Sequence, residues 1–171
     1  RDLVRSRGLG DVYKRQVFAE EEQACEEFYN GFTYIDAMNR EVTELFLKST
    51  HEKYAQCCGD LFGSVIKGIF TDEPHRGALF NGFGINNANR ARMAPYTAAL
   101  PEAYRKKYGE ELCFPLLYWR KKGEDFNIAA SAYVDVMDDL FTQNFAKPCR
   151  DWCAAHGLIL TGHILHEDNL S

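Results

Sequence analysis

The chain has 171 residues, with 20 Lys or Arg against 25 Asp or Glu and a formal net charge of −5. An acidic balance argues against a nucleic-acid backbone as partner, since affinity for it rests on clustered Lys and Arg. With 46% hydrophobic and 13% aromatic residues the composition is that of a globular domain with a core, and no apolar run approaches the roughly 20 residues that span a bilayer.

Residues 1–16 show neither helical nor strand periodicity. The run resembles a translated sequencing-adapter scar, and it is set aside from the fold as a disordered artefact; the alternative is a basic disordered arm. It carries five Lys or Arg against two Asp, so residues 17–171 hold a net −8. The six cysteines, Cys25, Cys57, Cys58, Cys113, Cys149 and Cys153, include no zinc-type CxxC pair, and most fall inside helical patterns. They read as free, buried thiols of a reducing compartment, and a cytoplasmic location is expected.

Residues 17–28 are Glu-rich and read as a helix tail or surface connection, and residues 31–36 as a strand end or a substrate-side loop. Asn39 is the expected N-cap of a helix over residues 40–61, with Glu41 and Glu44 in its early turns. Val42, Leu45, Phe46, Tyr54, Cys57, Cys58 and Leu61 form its apolar stripe, interrupted near Ser49. A short buried strand follows at residues 65–73, stopped by Pro74, with Glu73 still extended. Residues 75–93 carry three glycines and four asparagines and read as a long loop, either substrate-binding or a disordered insertion. Asn81 in it offers an amide to sugar hydroxyls. Short helices are expected at residues 101–108, closed by Gly109, and then to about Trp119. Arg120-Lys121-Lys122-Gly123 reads as a solvated turn. A long amphipathic helix spans residues 127–156, with Pro148 kinking it or dividing it and Gly157 closing it. A second buried strand follows at residues 158–164. Helix, strand, loop, helices, strand is the order of βα units around a parallel sheet.

Side chains alternate along a strand. If Phe70 packs under a helix, Thr71 and Glu73 face the other way, and the same alternation pairs Thr161 with His163. Both strands would then aim a threonine and a titratable residue at the interior of a parallel barrel, whose C-terminal mouth is the usual place for catalysis. Asp72, Glu73, His163, His166, Glu167 and Asp168 would gather there. Such a group could serve as a glycosidase carboxylate pair, as ligands of a water-activating divalent metal, or merely as rim residues paired with one another.

Gly68-Ile69-Phe70-Thr71-Asp72-Glu73-Pro74, taken with Thr50-His51-Glu52-Lys53-Tyr54 before it and Asp151-Trp152-Cys153-Ala154-Ala155-His156-Gly157, Thr161-Gly162-His163 and Glu167 after it, resembles bacterial glycoside hydrolases similar to family 106, the α-L-rhamnosidases. The resemblance runs from about Tyr34 to the end. It implies a (β/α)8 TIM barrel with accessory β-domains, inverting hydrolysis of terminal α-L-rhamnosides, a carbohydrate partner and a bound calcium ion. Glu73 and Glu167 would be the catalytic acid/base pair, with Asp72 and His163 in supporting contacts to sugar hydroxyls; His166 at the rim and Asn81 in the long loop are the further substrate-binding candidates. Metal-dependent hydrolysis on the same barrel, or sugar binding without catalysis, are the alternatives. Ala130-Ser131-Ala132 departs from the Arg-Tyr-Asp run expected early in the long helix, which leaves the identity of the sugar open. A full barrel needs roughly 250 residues, so residues 17–171 are expected to be an α/β fragment: an incomplete barrel, inactive and marginally stable in isolation, with strand edges exposed.

Overall fold

The computed structural model describes residues 17–22, 25–77, 94–119 and 121–164. Among these, helices α1 (Arg40–Ser49) and α2 (His51–Cys58) precede strand β1 (Gly68–Thr71), and helices α3 (Leu100–Tyr108), α4 (Phe114–Tyr118), α5 (Ile128–Phe141) and α6 (Lys147–Ala155) lead to strand β2 (Ile159–Gly162). The strands pair in parallel, joined by the helical crossover. Parallel neighbours require such a connection, because a tight turn can only reverse the chain.

Asn39 caps α1 as its residue type dictates, its side-chain oxygen accepting the Glu41 N–H at 3.0 Å. The helix then breaks at Thr50, so the expected single helix over residues 40–61 is two helices and a 3-10 turn at Gly59–Leu61. Its buried face also differs from the expected stripe. Thr43, Leu47 and His51 are buried, whereas Leu45 and Tyr54 are more than 60% exposed. Leu45 stands two residues from both Thr43 and Leu47, about 200° around the helix, and so points away from the buried stripe that Thr43, Leu47 and His51 form at steps of four.

Pro101 in the first turn of α3 and Gly109 just past its end, with φ +71° and its N–H bonded to the Arg105 carbonyl, delimit that helix as the residue types require. The long helix is continuous in backbone but changes pitch: a π turn, Thr142–Ala146, stands between α5 and α6. Pro148 has no N–H for the carbonyl of Asn144 and its ring crowds that carbonyl, and widening the preceding turn relieves the crowding. The core gathers between these helices, with Leu100, Tyr133, Val136 and Met137 at most 1% exposed. Asn144 ties the π turn to the chain before α1 by donating to the Met38 carbonyl at 2.7 Å.

The sheet lies against this helical layer by one face. Leu158 is buried and Leu160 packs on the core, while Ile159 and Phe70 are 66% and 57% exposed. Phe70 therefore does not lie under a helix; it stands on the open face. All six cysteines are free, but only Cys149 and Cys153 are buried, whereas Cys25, Cys57 and Cys113 are exposed. The expectation of buried thiols is corrected accordingly: Cys57 lies on the outward side of α2. Among the described residues no helix is long and apolar enough to cross a membrane.

Candidate functional site at the strand ends

The register sets the site. Gly68 pairs with Ile159, Ile69 with Leu160, Phe70 with Thr161, and Thr71 with Gly162. Facing residues of a parallel pair project to the same side, so Phe70, Thr161 and, two pairs further on, Asp72 and His163 share the open face. Thr71 lies on the other side. The expected match of Thr71 with Thr161 is thus displaced by one residue, which is enough to reverse every side chain.

The ladder continues past the strands, for the His163 N–H donates to the Thr71 carbonyl at 3.1 Å. That bond brings His163 alongside Asp72, with Nδ1 and Oδ1 3.9 Å apart and both side chains more than half exposed. The His163 ring also meets the edge of Phe70, with centroids 5.3 Å apart at 78°. A carboxylate, an imidazole and an aromatic face thus share one exposed strand end.

Glu73 follows immediately, but not as an extended residue. Its φ is +48°, a left-handed conformation unusual for a side chain larger than glycine. Pro74 disfavours right-handed helical geometry at the residue before it, and Pro74 is itself buried, so the chain turns at Glu73. The strand stops at Thr71, two residues earlier than expected. Asn81, His166 and Glu167 lie outside the described residues, as does Asp168, so Asp72, Glu73 and His163 are the predicted site residues that the structure places.

Sequence reasoning missed the group behind Glu73. The His75 ring stacks on Tyr34, with centroids 3.9 Å apart at 13°. Its backbone N–H donates to the Tyr34 hydroxyl at 3.2 Å, and its Nδ1 accepts the Gly77 N–H at 3.0 Å. Nδ1 is therefore the unprotonated nitrogen of the neutral ring, and Nε2–H faces the Tyr29 hydroxyl at 3.5 Å. Burial raises the Tyr34 phenol above its ordinary pKa, against the smaller opposing effect of the His75 N–H. Arg76 reaches across to Asp138 of α5 in an ion pair. Beside that pair, Ala130, Ser131, Val134, Asp135 and Asp138 line a shallow depression on α5. A signal existed in the aromatic run around Tyr34 and in the histidine two residues beyond Glu73, but the contact spans 41 residues, and no local pattern encodes that distance.

Calcium takes six to eight oxygen ligands. Among the described residues no three His, Cys, Asp or Glu side chains converge on one point. The described part of the site therefore does not form a calcium cage, and no chemical step is assigned to one. Comparison with protein families, with curated proteins and with solved structures found no match to this chain.

Proposed function

We propose that these strand ends are part of the mouth of a barrel-type glycoside hydrolase acting on terminal glycosides, α-L-rhamnosides first among them. The observation that carries the reading is the parallel pairing of β1 and β2, which sets Asp72 and His163 side by side at their C-terminal ends, directly before Glu73. Parallel sheets bind and transform substrates at that end.

The chemistry follows from the groups present. A glycosidase needs one carboxyl to protonate the leaving oxygen and a second to activate water. Glu73 supplies one; Glu167, three residues beyond Ile164, is the proposed partner. Asp72 accepts hydrogen bonds from sugar hydroxyls, His163 donates or accepts, and Phe70 offers an apolar surface to the C–H face of a pyranose ring.

The test is rhamnose release from an aryl α-L-rhamnoside by the gene product containing this segment, compared with its Glu73→Gln variant. Gln keeps the shape and removes the titrating proton, so release should fall by about 100-fold or more. Equal release from both proteins would remove Glu73 from the chemistry, and no release from either would remove the substrate assignment.

A further inference from the structure

The left-handed backbone at Glu73 needs an explanation. Such a conformation persists in a non-glycine residue where its surroundings hold it, and such residues cluster at functional sites. Asp72 and Glu73 are exposed, so little packs on them directly. What is anchored is the chain immediately after. Pro74 is buried. Several contacts hold His75: the Tyr34 stack and the Tyr29 hydroxyl meet its ring, the Gly77 N–H meets its Nδ1, and the Tyr34 hydroxyl accepts its backbone N–H. Arg76 is tied to Asp138. On the other side, Thr71 is fixed in the ladder by the His163 N–H. Glu73 is the joint between two anchored segments.

We propose that His75 is a positioning residue: by anchoring the chain to Tyr34 it holds Glu73 in its left-handed conformation and so sets the direction in which the Glu73 carboxylate projects. The functional part of this inference rests on Glu73 acting as the acid or base proposed above; the conformational part does not. His75 touches no reacting atom in this scheme. It acts through the backbone, with its imidazole serving as a flat stacking surface on one side and a turn acceptor through Nδ1.

Three variants divide the contacts that His75 makes. His75→Ala removes the stack and the Nδ1 acceptor together. His75→Asn keeps an acceptor for the Gly77 N–H, because its side-chain oxygen can close the same two-residue turn, but it loses the aromatic stack. Tyr34→Phe keeps the stack and removes the hydroxyl that accepts the His75 N–H. The last two are mild changes that preserve the fold should His75→Ala destabilise it.

Two readouts are needed. The first does not depend on activity: the Glu73 backbone chemical shifts and φ-dependent coupling in the isotopically labelled 171-residue chain. The second is the division between kcat and KM for aryl α-L-rhamnoside hydrolysis by the gene product containing the segment. In His75→Ala the Glu73 resonances should move toward extended values, while kcat falls on the order of 100-fold, the cost of a displacement of about 1 Å in a catalytic group, and KM stays within about twofold. His75→Asn should recover part of both. Glu73 resonances that stay in place in His75→Ala and Tyr34→Phe would overturn the proposal, as would a moved Glu73 with kcat unchanged in an active enzyme. Resonances that move in a protein releasing no rhamnose would uphold the conformational anchor and remove the rhamnoside assignment instead.

Discussion

Asp72 and His163 stand beside one another, Oδ1 and Nδ1 3.9 Å apart, because Phe70 rather than Thr71 is registered against Thr161. The pairing that fixes this offset is tightest at Gly162. A Cβ there would lie 1.9 Å from the Thr71 carbonyl oxygen, and φ at Gly162 is +144°. Both features require glycine. Gly162→Ala is therefore expected to cost about 3 kcal/mol or more and to part β2 from β1. Thr161→Ser, on the exposed face next door, should stay within about 0.5 kcal/mol. Urea unfolding of the two variants checks the contrast, and equal midpoints would show that the strands do not pair as described.

Burial separates two large apolar side chains, Leu100 and Phe70. Leu100 is fully buried among the helices, and Phe70 is 57% exposed on the open face of the sheet. Leu100→Ala should cost about 2–5 kcal/mol, through lost transfer energy and the cavity left behind. Phe70→Ala should cost less than about 1.5 kcal/mol, the scale of its edge contact with His163. Thermal unfolding of both proteins measures the difference, and an equal loss would mean that Phe70 is covered in solution.

Local chemistry made much of the secondary structure readable. Asn39 as a cap, Pro101 and Gly109 as helix ends, and Gly157 as the stop before β2 each follow from one residue's own preferences. The parallel relation of the strands followed from the helices between them. Register did not follow, because alternation fixes which residues share a face within a strand and says nothing of how two strands are offset. The same reason hid the Tyr34–His75 stack and the Arg76–Asp138 pair: each joins segments that are distant in sequence. Glu73 was visible as a candidate from Asp72-Glu73-Pro74, but its left-handed turn depends on where Pro74 and His75 are anchored.

That turn has an energetic consequence. A left-handed conformation costs a non-glycine residue roughly 1–2 kcal/mol, of which about 0.4–1 kcal/mol is offset for glycine by its greater freedom when unfolded. Glu73→Gly should therefore raise stability by about 0.5–1 kcal/mol, while Glu73→Ala, which keeps a Cβ at φ +48°, should not. Both remove the carboxylate, so on the proposed glycosidase reading both should lose activity alike. Denaturant midpoints rank the two variants, and an Ala variant at least as stable as Gly would mean that the site stores no strain.

The cysteines divide by accessibility. Burial, with Cys153 nearby, pushes the Cys149 thiol up to about 11, and Cys153 is raised by burial as well. The thiolate is the reactive form, so both should resist alkylation in the folded protein. Cys25, Cys57 and Cys113 are exposed and should react first. Mass spectrometry after brief iodoacetamide treatment at pH 8 reads the pattern. Early labelling of Cys149 would show that the α5–α6 core opens readily.

His51 makes stability depend on pH. It is 4% exposed, with its ring against the edges of Phe46 from α1 and Trp152 from α6. The Thr50 hydroxyl donates to the Phe46 carbonyl at 2.7 Å, so it must accept from His51 Nδ1–H at 2.8 Å. The neutral ring is thereby left with a bare Nε2, buried and without a hydrogen-bond partner among the described residues. Burial lowers the His51 pKa below 6.5, and the neighbouring Glu52 carboxylate, itself bonded to the Trp152 indole, raises it by less. His156, stacked on Trp152, is the other titratable ring at this junction. The folded state therefore favours neutral His51 more than the unfolded state does. Its contribution is complete above the unfolded pKa of about 6.5 and is lost as pH falls through that value toward the lower folded pKa. The urea midpoint should thus drop between pH 8 and pH 5.5, a window in which exposed carboxylates keep their charge. His51→Phe, which fills the aromatic site without a titrating nitrogen, should flatten part of that slope, whereas His163→Gln on the exposed strand end should leave it in place. A slope unchanged in His51→Phe would place the pH response elsewhere in the molecule.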